Sequence, residues 1–409
     1  MLSCFILLSC LIFLTELTGW TGFRCILPQV RLKGADVMYT FNKELKMLNR
    51  AAEEFARKQL VADREENDKY PFGLFFDTVL KKAFELDFFH TMLPEEYGGI
   101  GQDMEALCIL LDNICQADAS LAAIMFTSVF AQELIIQGEN FDLLKKHVNN
   151  ADKAEDFIIA FPVFNNPLEI KQVAGARQKG DKYLISGSVE YLVMAGISSY
   201  ALIPVEIEPA ENEKGISFFL VNLTDSGVKK SEPILSLGIH ACPAVDLELK
   251  DVEGVLIGEP GKGGEYFTKV CDKMNIAACA MSLGIMKGSF KEGLEYSKKR
   301  MQGGKKIIEW SEMQMILAEM AIQIKIAEML ISRACQALNN KEKEWEKCAG
   351  AAAVHIQKSA CDLTTDGVQI LGGVGYMKDF GQEKRFRDAK QLQALMGLWP
   401  MKKLRKIYI

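Results

Sequence analysis

The chain is 409 residues long, 49% of them apolar and 25% charged, enough for two or three domains around sizeable cores. A formal net charge of −6 and a pI near 5.6 leave no surplus of Lys and Arg to neutralise phosphates, which argues against a nucleic-acid partner. The basic spots Lys298-Lys299-Arg300 and Lys402-Lys403 are short and read as solvated helix faces.

Residues 1–37 read as a leader outside the fold. Cys4 to Leu14 is an apolar run of about half the ~20 residues a membrane helix needs, so no membrane span is expected there. No basic residue precedes it, the first being Arg24, so the charged start of an export signal is missing. Met38, directly before a helix-patterned stretch, is the expected true start.

Residues 38–156 read as an N-terminal helical domain. Phe41 through Asn67 has apolar residues at helical spacing and ends at Pro71-Phe72-Gly73; a further helix is expected from Asp77 to Leu86. After the turn-rich Pro94-Glu95-Glu96-Tyr97-Gly98-Gly99-Ile100-Gly101, Met104 to Ile114 and Leu121 to Gln137 restore the helical period. Residues 157–266 change pattern. Lys182 to Ser186, Tyr200 to Val205, Ile216 to Asn222 and Val245 to Leu249 are strand-like, with turns at Gly180-Asp181, Asn212 to Gly215 and Asp225-Ser226-Gly227. Residues 267–409 return to helices, at Ala277 to Tyr296, Glu309 to Leu338, Glu342 to Ile370 and Asp388 to Leu395. The class is therefore α+β: helices, a middle β-barrel or sandwich, and a C-terminal four-helix bundle.

The eleven cysteines include no C-x-x-C pair and only four histidines could share a site, so neither a metal site nor a disulfide framework is expected. Cys108, Cys115, Cys279 and Cys335 sit in apolar stretches as small hydrophobes, as expected of a cytoplasmic chain.

Several segments resemble the acyl-CoA dehydrogenase family, in its order. They are the Pro94 to Gly101 loop, Ala117-Asp118-Ala119-Ser120-Leu121-Ala122, Asp251-Val252 with Ile257 to Gly263, Gln369-Ile370-Leu371-Gly372-Gly373-Val374-Gly375-Tyr376, and Arg387-Asp388-Ala389-Lys390. The resemblance implies α,β-dehydrogenation of an acyl-CoA thioester with FAD held between subunits, and an electron-transfer flavoprotein as acceptor. It places Gln369, Gly372, Gly373 and Gly375 at the FAD diphosphate of a neighbouring chain, with Arg300 and Gln302 beside them. Glycines there would let backbone N–H groups approach phosphate oxygens. It sets Tyr191 and Val193 beside the flavin ring, where the family has Trp-Ile-Thr.

The departures are equally specific. The family's catalytic glutamate, laid on Arg387-Asp388-Ala389-Lys390, falls at Met396; its alternative position, on the first helix of the C-terminal domain, falls at Met274. The family's flavin-contact loop becomes Phe161-Pro162-Val163-Phe164-Asn165-Asn166-Pro167, and Val193 lacks the expected hydroxyl. Glu190, Asp366 and Glu383 read as solvated or salt-bridged acids, and His240 as a turn or surface histidine. No catalytic residue is identified. The expectation is a subunit of a homo- or hetero-oligomer that supports a related chain carrying the base. The alternatives are a self-sufficient flavoenzyme and a flavin-free scaffold that retains only the fold.

Overall fold

The computed structural model describes residues 43–208 and 215–405; the expected leader, Met38 and the turn at Asn212 to Lys214 lie outside them. The N-terminal part is helical. Its first helix, α1 (Lys43–Phe55), is amphipathic and buries Leu45, Ala52 and Phe55. Short helical segments then lead to α2 (Met104–Cys115), which Asp103 caps by accepting the Glu105 and Ala106 backbone N–H groups. Asp118 caps α3 (Ala119–Gln137) in the same way, through the Ser120 N–H. Helix α3 is long and apolar enough to cross a membrane, yet 94% of its apolar window is buried inside the protein, so it is a core helix.

Seven strands make the middle sheet: β1 (Ile159–Ala160), β2 (Gly175–Lys179), β3 (Lys182–Val193), β4 (Tyr200–Glu208), β5 (Ile216–Asn222), β6 (Val228–Lys230) and β7 (Ala244–Ile257). The order β4-β2-β3-β7-β5 closes through a β4–β5 pairing into a barrel, with β1 on β4 and β6 on β7. In the β3–β7 ladder Val189 faces Leu247 and Leu192 faces Val245, so β3 carries one extra residue there. This bulge puts Tyr191 at φ 54, in the left-handed region. Strand β2 was not expected, since three of its five residues are polar or charged and exposed.

The C-terminal part contains α4 (Gly263–Ser297), α5 (Ser311–Asn339), α6 (Trp345–Leu371), α7 (Gln382–Leu392) and α8 (Trp399–Arg405). Helices α4, α5 and α6 pack on one another, and α7 packs on α4 and α6. Helix α4 starts at Gly263 rather than Ala277, because its first turns pack on β5. A ring cluster of Phe130, Phe161, Phe218 and Phe267 joins the three parts, with centroids 5.1 to 6.4 Å apart.

A buried ion network ties them again. Lys384 on α7 lies 2.7 Å from Asp388, 3.1 Å from Asp118 and 3.6 Å from Asp68. Burial alone would lower the Lys384 ammonium, but Asp118, Asp388 and Asp68 hold it above its ordinary value. Asp388 also accepts the Ile239 N–H, and Arg387 reaches Asp68 and Glu383. His240 lies in a turn, as expected, but is half-buried and belongs to this network. Its Nδ1 lies 2.8 Å from the Asp68 carbonyl and its Nε2 2.9 Å from the Ser236 carbonyl.

Candidate functional site

Helix α4 ends just before Arg300, and the chain turns back through the two-stranded ribbon of Met301–Gln302 and Lys305–Lys306, with Gly303 and Gly304 at positive φ. The Ile307 N–H returns to the Arg300 carbonyl at 2.9 Å, and the Trp310 indole N–H donates to the Gln302 carbonyl at 3.2 Å. Across from this ribbon α6 stops at Leu371, because Gly372 takes φ 63.

Between them lies a cleft of about 480 Å³ whose lining includes Arg300, Gln302, Trp310, Gln369, Gly372 and Gly373. Five expected cofactor residues therefore share one cavity. Arg300 is exposed and has no carboxylate partner among the described residues. A Cβ on Gly372 or Gly373 would meet nothing within 4 Å, so the backbone there is open to a ligand. Glu312, which accepts the Ser311 hydroxyl at 3.0 Å, is the acidic group on the lining. A free guanidinium facing an open glycine turn is the donor set for a phosphate-bearing group. Gly375 is not part of the lining. It is buried, and a Cβ there would meet the Val368 carbonyl at 2.3 Å, so it serves the turn.

Tyr191 and Val193 lie elsewhere, on the barrel. The Tyr191 hydroxyl accepts from the Gln391 amide at 3.0 Å, its N–H donates to Asp246, and its ring meets Phe164 edge-on. Val193 is fully buried and bridges to Phe161. The single chain does not bring these two together with the Arg300 cleft.

Met396 is 3% exposed and lies at φ 60. Its N–H donates to the Val163 carbonyl at 2.6 Å, and its carbonyl accepts from the Asn166 amide at 3.3 Å. It lines a second cavity, of about 100 Å³, with Asn166, Cys271, Asp272, Asn275 and Lys402. Met274 is fully buried on α4 and is not among the lining residues. Lys402 is a correction to the sequence reading. It is 8% exposed, turned inward from α8, whereas its neighbour Lys403 is exposed. Glu383 pairs with Arg387, as expected of a salt-bridged acid, and Glu190 is exposed.

A helical part, a β-barrel and a helical bundle, with an open cleft at the end of that bundle, make up the fold of one class of oxidoreductase. The sequence model for the acyl-CoA dehydrogenase N-terminal domain matches residues 42–140, and that for the C-terminal domain matches residues 261–398. The chain belongs to the acyl-CoA dehydrogenase family, oxidoreductases acting on CH–CH bonds. It is 27% identical to the cyclohex-1-ene-1-carbonyl-CoA dehydrogenase of Syntrophus aciditrophicus, covering 88% of each chain. It is 26% identical to the caffeyl-CoA reductase-Etf complex subunit CarC of Acetobacterium woodii, over 86% of this chain and 93% of that one. A chain in the structure of the electron transferring flavoprotein of Acidaminococcus fermentans superposes with a TM-score of 0.82 at 26% identity, covering 90% of this chain and 98% of that one. Butyryl-CoA dehydrogenase from Megasphaera elsdenii shares the fold, with a TM-score of 0.81 at 22% identity and coverage of 90% and 98%.

Proposed function

We propose that the chain is a flavin-dependent oxidoreductase of acyl-CoA thioesters, working on the α,β carbon–carbon bond within an oligomer. The observation that carries this reading is the gathering of Arg300, Gln302, Gln369, Gly372 and Gly373 around one open cleft. Arg300 and the Gly372-Gly373 backbone would hold the diphosphate of a neighbouring chain's FAD, and Tyr191 and Val193 would face the ring of the chain's own. When bound, FAD supplies the acceptor for the hydrogen and electron pair leaving the β-carbon. An electron-transfer flavoprotein is the redox partner this reading favours, supported by the Etf complex named for the Acetobacterium relative.

Met396 and Met274 stand where the family keeps its base, and a thioether takes up no proton near neutral pH. Two arrangements supply one. In the first, a related chain carries the carboxylate and this one completes that chain's FAD site; the departures in the flavin loop, at Phe161 to Pro167, support it. In the second, this chain carries a base of its own, and the buried Lys402 beside Met396 supports that. The geometry favours the second.

Purified full-length chain tests the reading. Expected are flavin absorbance and a mass above that of the monomer by light scattering. A colourless chain that takes up no FAD, alone or with a related acyl-CoA dehydrogenase chain, would leave only the scaffold reading.

A further inference from the structure

Lys402 presents its amine to two oxygens, the Gln357 side-chain oxygen at 3.2 Å and the Gln393 backbone carbonyl at 3.0 Å. Gln357 is 1% exposed and donates its own amide N–H to the Leu392 carbonyl at 3.0 Å, which leaves its oxygen turned to the lysine. Neither acceptor is charged. Glu169 is engaged by Arg405 at 2.5 Å, and among the described residues no carboxylate lies within ion-pair distance of Lys402.

A buried ammonium without a counter-ion is costly, whereas a neutral amine has two N–H groups and one lone pair. Two carbonyl acceptors satisfy those N–H groups and leave the lone pair free. The titratable groups facing the amine or its cavity are Cys271, Asp272 and Cys279 from α4, Glu169 from the segment after β1, and Arg405 from α8 itself. Burial pulls the amine down and Arg405 adds to it; the thiols and Glu169 act the other way, and the balance lies at about 8. Both thiols are themselves raised by burial and stay protonated near neutral pH.

We infer that Lys402 is the group that takes the α-proton of the acyl thioester, in the cavity it shares with Met396. The inference rests on the acyl-thioester reading above. The proton passes from the α-carbon to Nζ, and the C–H electron pair becomes the new C=C bond. The β-hydrogen leaves with its electron pair to the oxidised flavin which that reading already requires. Lysine suits this role because its stem is flexible and its charge is readily lost on burial.

The test uses the flavin-loaded full chain mixed anaerobically with butyryl-CoA or cyclohexane-1-carbonyl-CoA, both of which carry an α-hydrogen, following flavin bleaching from about pH 6 to 10. The rate is expected to rise through about pH 8, and Lys402→Met, which keeps the apolar stem, is expected to slow it by roughly 10²-fold or more. Acetylation of Lys402 in the unaltered protein, read by mass spectrometry against pH, gives a second measure that no folding defect can affect; its rate should level off above about pH 8. Bleaching retained in Lys402→Met at the same rate and pH dependence would overturn the role of Lys402 alone. So would an acetylation rate still rising steeply past pH 10. No bleaching of the unaltered protein by either thioester would overturn the acyl-thioester reading, and this inference with it.

Discussion

Met396 and Val163 are joined by a backbone hydrogen bond of 2.6 Å, so the Phe161 to Pro167 segment and the turn that carries Met396 form one substructure. Asn166 reinforces the tie from the same loop, and the cavity beside it contains Lys402. Met396, Asn166 and Lys402 are thus neighbours in space.

Exchange of the base can be run backwards. In a Lys402→Met background, Met396→Glu places a carboxylate in a site only 3% exposed, where burial would raise its pKa toward neutrality. Thioester-dependent flavin bleaching should recover by roughly 10²-fold relative to Lys402→Met, read by stopped-flow absorbance. A double variant as inert as the single one would count against Met396 marking the reacting carbon.

Arg300 is exposed and has no carboxylate partner among the described residues, so its removal leaves no buried charge behind among them. Arg300→Gln should therefore leave thermal stability nearly unchanged. Loss of a charge-assisted hydrogen bond worth about 1.5–3 kcal/mol should weaken FAD retention by roughly 10- to 100-fold, measured by fluorescence titration. Unaltered FAD affinity would remove the guanidinium from the cofactor site.

The two glycines of the α6 turn should respond differently to alanine. Gly372→Ala meets open space but must hold φ 63, a cost of about 1–2 kcal/mol. Gly375→Ala drives a Cβ to 2.3 Å from the Val368 carbonyl and should cost more, because backbone must move. Urea unfolding of the two variants orders the costs; Gly372→Ala proving the worse would contradict the turn geometry.

The Asp68–His240 contact predicts a pH dependence of known sign. Asp68's carboxyl, although burial raises it, is held well below the usual carboxylate range by His240, Lys384 and Arg387. Its stabilising effect is present above the unfolded value of about 3.9 and is lost only in strong acid. His240, hydrogen-bonded to Asp68, is raised. Its contribution is complete below the unfolded value of about 6.5 and fades as pH rises through the folded value. His240→Gln should therefore lose more stability, relative to the unaltered protein, at about pH 6 than at about pH 9. Equal losses at the two pH values, by thermal melting, would show that the imidazole charge does not matter.

Much of this was legible in the sequence because apolar period and turn chemistry agreed locally: α2, α3, β5 and α5 lie within a few residues of their expected places. The Arg300 cleft was legible only through the family motif, since no local pattern says that the ribbon after α4 faces the end of α6. Helix α7 began at Gln382 rather than Asp388 because its first turn is charged, and those charges point into an ion network instead of solvent. Lys402 was misread for the same reason, and the ion-network partners of His240, which does lie in a turn as expected, were missed for it. A polar residue's burial depends on partners supplied from distant segments, Asp68 for one and Gln357 for the other, and single-sequence periodicity does not see them.

The most direct test of the account is the visible spectrum of the purified chain alone, before and after anaerobic addition of butyryl-CoA or cyclohexane-1-carbonyl-CoA. The account predicts an oxidised-flavin spectrum that bleaches on addition. A yellow chain that bleaches only when a related chain with an intact glutamate is present would contradict a self-contained site and assign this one a supporting part.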